Sequence, residues 1–283
     1  MIGFVILHYK NLNDTLEAIA SIRKNTSKKH KIVVVDNASL NSGDAKMLSK
    51  RCDDLIINST NLGFAKANNI GCQRAIEKYS PDFLCVINND ILICQKHFDE
   101  KVCKLYMETS FDILGPKILT DGGDSVNPFP VYQTDDEVIH AIKNAKMWIH
   151  IYRNPLLRYL YHFYKKLKPE KKHVFENGKK RSFQVGLHGC ALIFSKKYYQ
   201  KYSDVFYPNT FLYHEEEFLY ERAKRDRLVM MYDPQIEVFH KEGASLNQSF
   251  SVSEEKMIFR YTEMVHSLEK LLEYKKSALR RTK

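Results

Sequence analysis

The strongest constraint on the fold is a series of four short apolar runs within the first 90 residues. They are "GFVILHY" (3–9), "KIVVVDN" (31–37), "DLIINS" (54–59) and "DFLCVINND" (82–90). Runs that are apolar throughout predict strands buried on both faces. The intervening stretches predict helices over 14–25 and 63–80, with another over 95–108, and Asp14 and Glu17 predict a capping box. Strands that alternate with helices indicate a parallel sheet covered on both faces.

Polar side chains follow each predicted strand at the point where it ends. They are His8 and Tyr9, then Asp36, then Asn58 and Asn61, and finally Asn88, Asn89 and Asp90. A single Asn or Asp at a strand end is an ordinary turn former. Four polar ends in succession on one edge are typical of a ligand site, because open α/β sheets bind ligands at the carboxyl ends of their strands.

Two carboxylates at this edge suit different chemistry. Asp90, preceded by two amides, suits a hard divalent cation that keeps waters and shares substrate phosphates, although a turn or helix cap would explain it equally well. Asp36 could accept hydrogen bonds from a base or a ribose. The glycine-rich phosphate fingerprint is missing from the sequence, which argues against a nicotinamide cofactor.

Two further groups of titratable residues occur late in the chain. "HEEEF" (214–218) places three acids at the start of a predicted helix, where the helix dipole alone would favour them. Partial burial of such a run raises a carboxyl pKa, which a general base for a hydroxyl group needs. His240 ends the strand-like "IEVFH" and is either a structural residue or a neutral metal ligand.

The positive charge is concentrated in one segment. The net charge is +10, and residues 143–181 contain twelve Lys or Arg against two Glu, interleaved with aromatic residues. Such a segment is typical of a surface that meets anionic lipid, although a solvated insertion or a nucleic-acid surface has the same composition. The six cysteines are scattered as in a reducing compartment, and no apolar run is long enough to span a bilayer, so we expect a cytoplasmic protein.

These patterns predict a division of the chain. We expect one domain over 1–250, built from a nucleotide-binding half (1–119), a basic aromatic insertion (120–182) and a catalytic half (183–250). A basic amphipathic helix should follow over 251–283, with an apolar stripe that suits either lipid or a second copy of the chain. The sequence leaves the oligomeric state open.

Seven segments, in this order and spacing, resemble the family 2 inverting glycosyltransferases with a GT-A fold, in particular the bacterial rhamnosyltransferase-like enzymes of capsule and lipopolysaccharide synthesis. The segments are "VILHYKN", "VVVDNASLNSGD", "NLGFAKANNIG", "INND", "GCALIF", "FLYHEEEFLYERAKRDRL" and "VFHKEGAS". The resemblance covers residues 2–119 and 183–245. It implies a GT-A fold with a mostly parallel central sheet and helices on both faces.

The resemblance also implies roles for individual residues. Asp90 would hold Mg²⁺ or Mn²⁺ against the donor diphosphate, with His240 as a second ligand of the metal or the phosphate. Glu216 would be the catalytic base, in a motif that it shares with Glu215. The nucleotide sugar would be bound by the remaining residues of the strand ends and the following helix, namely His8, Tyr9, Asp36, Asn61, Gly63, Lys66, Asn68, Asn88 and Asn89.

The function expected from this resemblance is sugar transfer from a UDP- or dTDP-linked donor to a lipid-linked glycan, at the inner face of a bacterial cell membrane. Two alternatives stay open at this point. The basic aromatic segment permits a nucleic-acid-binding protein, although the common motifs for that function are missing from the sequence. A sugar-nucleotide nucleotidyltransferase would want a glycine-rich basic loop after the first strand, where this chain has "HYKNLND".

Overall fold

The structure is a computed structural model that describes residues 1–27, 29–122, 125–167, 176–241 and 254–280. Its strands are β1 (Ile2–His8), β2 (His30–Asp36), β3 (Asp54–Ile57), β4 (Phe83–Asn88), β5 (Ile91–Leu92), β6 (Ile113–Leu119), β7 (Ser182–Phe183), β8 (Ala191–Ser195) and β9 (Met230–His240). Its helices are α1 (Leu12–Asn25), α2 (Ser42–Ser49), α3 (Gly63–Tyr79), α4 (Phe98–Thr109), α5 (Asp135–Arg153), α6 (Pro155–Leu167), α7 (Lys196–Lys201), α8 (Glu215–Asp226) and α9 (Glu254–Arg280).

The strands of the described residues form one central sheet in the order β3-β2-β1-β4-β8-β6-β9-β5, and β7 pairs with β9. The first four strands are parallel, as the sequence predicts. Beyond β4 the sheet becomes mixed, because β8 runs antiparallel to both β4 and β6, whereas β6 and β9 are parallel. The carboxyl ends of β1, β2 and β4 therefore lie side by side.

Helices cover both faces of the sheet. Side chains of α1 and α4 pack with one set of alternating strand residues, and those of α3, α7 and α8 pack with the other set. Gly71 shows how closely α3 approaches: a Cβ atom there would lie 2.5 Å from Val5 and 2.6 Å from Val35. Only glycine fits at this position without a shift of the sheet.

Three local predictions are corrected. The cap of α1 is Asn11, whose side chain accepts a hydrogen bond from the Asp14 N–H, so the helix starts before the predicted capping box. The polar helix α2 was not predicted, since Leu48 is its single fully buried residue. The late runs "LVMMYDP" (228–234) and "IEVFH" (236–240) each predict a strand, but they form one strand, β9, whose pairing with β6 shifts between Pro116 and Lys117.

A third cluster of apolar residues lies between α5, α8 and α9. Its buried members include Ile142 from α5, Phe218 from α8, and Val265, Leu268 and Leu271 from α9. The apolar stripe of the carboxyl-terminal helix thus packs on its own chain instead of facing lipid or a second copy. Residues 242–253, which contain the end of the predicted catalytic half and the start of the predicted carboxyl-terminal helix, lie outside the described residues. Within the described parts of the chain, we find no helix that combines the length and hydropathy needed to cross a bilayer.

Candidate active site

The ends of β1 and β2 are joined by a buried polar contact. His8 and Asp36 are register partners, and His8 Nε2 lies 4.0 Å from Asp36 Oδ1. The other ring nitrogen of His8 hydrogen-bonds to Thr15 Oγ1 at 2.6 Å. Burial lowers the pKa of His8, which outweighs the opposing effect of Asp36, so the ring is neutral at physiological pH. Tyr9, in contrast, is 44% exposed.

The Asp36 carboxylate is largely used by its own loop. It accepts hydrogen bonds from the Ser39 hydroxyl at 2.6 Å, from the Ser39 N–H at 3.1 Å and from the Leu40 N–H at 3.3 Å. A carboxylate has about four acceptor positions, so this loop takes up most of them. In this structure Asp36 orders the turn after β2 and retains little capacity for a ligand.

Asn37, a polar strand-end residue for which no role was predicted, connects β2 to the start of α3. Its amide donates to Asn61 Oδ1 at 2.7 Å and to the Gly63 carbonyl at 3.1 Å, while its own oxygen accepts from the Leu62 N–H at 2.9 Å. Asn61 also accepts from the Gly63 N–H. This buried Asn37 at a strand end was visible in "VVVDN", but Asn there is also an ordinary turn residue.

Gly63 has a steric role that the sequence did not reveal. Its φ is +79°, and a Cβ atom would lie 2.2 Å from the Phe211 carbonyl oxygen. The start of α3 therefore touches the loop before α8. Farther along α3, Lys66 is exposed, whereas Asn68 is buried and donates to the Phe64 carbonyl.

Asp90 and His240 meet although 150 positions separate them. Ile91 pairs with His240 across β5 and β9, and this pairing places His240 Nε2 3.3 Å from Asp90 Oδ2. Asp90 Oδ1 is buried and makes no hydrogen bond with the described residues. A buried carboxylate oxygen without a donor, next to an imidazole nitrogen, fits a divalent cation.

The protein supplies few ligands for such a cation. Among the residues that the structure describes, no cluster of three or more His, Cys, Asp or Glu side chains has the geometry of a metal site. One carboxylate and one imidazole would therefore need phosphate oxygens and waters to complete the shell, as is usual for Mg²⁺ at nucleotide phosphates. Asn88 and Asn89 flank this point, and the Asn89 amide donates to the Asn11 carbonyl.

His188 is a further residue near the Asp90–His240 pair that the sequence did not identify. The ring centroids of His188 and His240 are 6.4 Å apart. The buried Asn127 fixes the loop that carries His188: it accepts the His188 N–H at 2.7 Å and donates to the Pro116 carbonyl at 2.8 Å. No local pattern in "FQVGLHGC" distinguishes this histidine from a structural one.

The three acids of α8 have three different environments. Glu215 is buried, and burial together with the neighbouring charge of Glu216 raises its pKa to about 8. Burial also raises the pKa of Glu217 to about 8, and both of its oxygens accept the Tyr132 N–H. Glu216 is less buried, and its Oε1 accepts the Gly189 N–H at 3.0 Å. Glu215 and Glu217 are thus mainly neutral near pH 7, so neither is a ready base there.

The backbone before α8 is strained. Tyr213 and His214 have φ values of 71° and 66°, which non-glycine residues seldom adopt. The His214 side chain is half-buried with its Nε2 atom shielded from solvent, and this desolvation lowers its pKa to about 4. This left-handed turn directs the first residues of α8 into the cavity described next, and strain of this kind is common at functional sites.

A cavity of about 1330 Å³ is lined by the Asp90–His240 pair, by His188 and by the three acids of α8. Of the residues selected from the sequence, it is lined by Asn88, Asp90, Glu215, Glu216 and His240. The residues selected at β1, β2 and α3 are not among its lining residues, and neither is Asn89. The residues selected from the sequence thus form two groups. The structure brings the group at β4, α8 and β9 into the cavity, and it leaves the group at β1, β2 and α3 outside the cavity lining.

The wall of the cavity opposite the sheet was not foreseen. It comes from α5 and α9, where Trp148 and Tyr261 stack with ring centroids 6.0 Å apart and an interplanar angle of 13°. Residues 120–182 are therefore more than an insertion, since α5 forms part of the site. Periodicity predicts a helix but not which surface it closes.

Comparison with known proteins agrees with this architecture. The profile of "Glycosyl transferase family 2" matches residues 4–203. This chain belongs to glycosyl transferase family 2. No curated protein sequence matches it.

Solved structures of glycosyltransferases share the fold. S. aureus TarS 1-349 superposes with a TM-score of 0.54 at 13% identity, covering 86% of this chain and 61% of that one. GalNAc-T7 with UDP, GalNAc and Mn²⁺ gives 0.55 at 14% identity, covering 93% and 47%. TarS with UDP gives 0.53 at 12% identity, covering 93% and 65%. This family 2 chain has the GT-A fold, and it spans less than two thirds of the length of each of these structures.

Proposed function

We propose that this protein is a metal-dependent, inverting glycosyltransferase that uses a UDP- or dTDP-linked sugar. The observation that carries the proposal is the arrangement of one cavity: the Asp90–His240 pair lines it together with Glu216. The family assignment supports glycosyl transfer. The neighbours observed with UDP, and with UDP, GalNAc and Mn²⁺, support the choice of nucleotide and cation.

The proposed donor site extends from the strand ends into the cavity. The nucleoside would lie against the exposed Tyr9 and the loop that Asp36 orders, beside the buried His8, and the diphosphate would reach Asp90 and His240. The hydrogen bonds from Ser39 to Asp36 and from Asn37 to Asn61 hold this surface in place before a ligand arrives, which lowers the entropic cost of binding. A bound Mg²⁺ or Mn²⁺ would neutralise charge on the departing diphosphate.

Glu216 is the proposed base. The Gly189 N–H orients its carboxylate at the cavity wall, while the raised pKa of Glu215 keeps that neighbouring residue mainly protonated. Glu216 would take the proton of the acceptor hydroxyl as its oxygen attacks the anomeric carbon. The bond to the diphosphate breaks on the opposite face of the sugar, so the configuration inverts. The aromatic wall formed by Trp148 and Tyr261 offers flat apolar surfaces for the acceptor sugar.

We further propose that the acceptor is a lipid-linked glycan of a cell-surface polysaccharide such as capsule or O-antigen, and that the enzyme works at the inner membrane surface of a bacterium. The support is the resemblance described above and the excess of positive charge over residues 143–181. A lipid-linked acceptor gives this cationic segment a role at the membrane, which a soluble acceptor would not.

Ligand-dependent stability tests the proposal directly. Melting temperatures would be measured with UDP, dTDP, GDP, NAD and a short oligonucleotide, each with and without Mn²⁺. A ligand at about 100 times its Kd stabilises the folded state by about 2.7 kcal/mol. We expect a shift with UDP or dTDP that requires Mn²⁺, and Mn²⁺ alone is the control. A shift with the oligonucleotide alone, or with NAD, would overturn the proposal.

A further inference from the structure

The outward face of α6 is an exposed apolar surface. Four of its side chains occur at spacings of three or four residues and so share one face of the helix. They are Leu156 (67% exposed), Tyr159 (68%), Leu160 (52%) and Phe163 (59%), and we refer to them as the α6 face. Single exposed apolar residues are common on proteins, but a contiguous set marks an interaction surface.

The opposite side of α6 is attached to the rest of the protein. Tyr161 packs edge-on against Trp148 with ring centroids 4.7 Å apart. Arg158 donates to the Tyr152 carbonyl at 3.1 Å and forms an ion pair with Glu254 of α9. These contacts hold the helix so that the α6 face points away from α5 and α9.

The charge around α6 identifies the chemistry of its partner. Residues 143–181 have an excess of ten positive charges, whereas the rest of the chain is neutral by subtraction from +10. Arg153, just before α6, is exposed, and so are Lys179 and Lys180 later in the same segment. An apolar face within a cationic segment is typical of a helix that lies in the interface of an anionic membrane. Each basic residue near such a surface adds to the attraction.

We propose that the α6 face inserts into an anionic lipid bilayer. Leu156, Leu160 and Phe163 would enter the acyl boundary, and Tyr159 would lie at headgroup level. The inference rests on the proposed function, since a lipid-linked acceptor gives the contact its purpose. Trp148 touches α6 through Tyr161 and also lines the cavity, so α6 lies beside the aromatic wall proposed for the acceptor sugar.

Co-sedimentation with vesicles tests the inference without nucleotide or turnover. The full chain would be mixed with vesicles of phosphatidylglycerol and phosphatidylcholine, and separately with phosphatidylcholine alone. We expect binding to the anionic vesicles that weakens as salt is added. In the double variant Leu160→Ser/Phe163→Ser, the partition coefficient should fall by roughly tenfold or more for each side chain withdrawn from lipid.

A matched control distinguishes this face from general surface hydrophobicity. Met47→Ser/Met107→Ser removes side chains that are 50% and 78% exposed on α2 and α4, and it should bind vesicles like the unmodified protein. Both double variants should keep the nucleotide- and Mn²⁺-dependent thermal shift, which shows that they fold. The thermal shift tests the proposed function, whereas vesicle binding tests the membrane contact of the α6 face. Either proposal can therefore fail without the other.

Three results would overturn the inference. The first is no binding to anionic vesicles by the unmodified chain, and the second is equal binding by both double variants. The third is a dimer in solution, measured by light scattering, that becomes a monomer in Leu160→Ser/Phe163→Ser while vesicle binding stays unchanged. That last result would mean that the α6 face joins two copies of this chain.

Discussion

The strand ends of β1 and β2 and the acids of α8 are two polar regions built in opposite ways. At the strand ends, buried Asp36 and Asn37 make most of the hydrogen bonds that their side chains allow. In α8, Glu215 Oε1 is buried without a hydrogen bond, and burial raises the pKa of both Glu215 and Glu217 to about 8. A satisfied network gives a rigid binding surface. Desolvated acids keep their protons at neutral pH, and their charge changes when the pH rises above about 8.

The largest expected effect comes from removing the proposed base. Glu216→Gln should lower the rate of sugar transfer by about 10²–10⁴-fold, since that is the usual contribution of general base catalysis. Binding of the nucleoside diphosphate, measured by calorimetry, should stay the same because the amide oxygen can still accept the Gly189 N–H. If nucleotide binding fell as much as turnover, Glu216 would be a structural residue. The α8 acids would then not differ from the hydrogen-bonded strand ends in the way described above.

A smaller loss is expected at the proposed cation site. Asp90→Asn should weaken Mn²⁺-dependent nucleotide binding by about tenfold or more, because the amide cannot supply a charged ligand. The control is Asp82→Asn. Asp82 comes directly before β4 and Asp90 comes after it, so this variant should bind Mn²⁺ and nucleotide like the unmodified protein. Unchanged Mn²⁺ dependence in Asp90→Asn would refute a cation at this residue.

The satisfied network makes a prediction about stability. Asp36→Asn should destabilise the fold by about 1–3 kcal/mol, because an NH₂ group would face buried donors of the β2 loop. In Glu215→Gln the loss at pH 7 should be clearly smaller, since its carboxyl is already mainly neutral. Denaturant midpoints of the two variants give the comparison. Equal losses would show that the two regions do not differ in this way.

The raised pKa of Glu217 makes the stability of the fold depend on pH. The Glu217 pKa is about 8 in the folded protein, against an ordinary value of 4.5, so the folded state binds more protons between these values. Its contribution to stability therefore decreases as pH rises through this window, by at most about 1.4 kcal/mol per pH unit. Glu217→Gln removes this titration, and its melting temperature should fall less between pH 5 and 8. Identical slopes in both proteins would contradict the raised pKa.

Sequence periodicity was sufficient to predict the strands in the parallel half of the sheet. The runs at β1, β2 and β4 are apolar throughout because both faces are covered, and each predicted strand agrees with the structure to within two residues. The same reasoning split β9 at Pro234, because a proline usually ends a strand. Here the pairing with β6 skips from Asp233 to Glu237, and this irregularity accommodates the proline.

The sequence alone determined which polar residues stand at the strand ends and at the start of α8, and which kinds of ligand and proton transfer they suit, since these depend on residue type and local spacing. The tertiary structure placed His240 against Asp90, a pairing that the family resemblance had implied. It alone decided that His188 joins them and that α5 and α9 close the cavity. It also decided which acid of α8 stays available, because Glu215 and Glu217 are buried and Glu216 is less so. Proximity across 150 residues and loss of solvent both arise from packing, which local sequence does not encode.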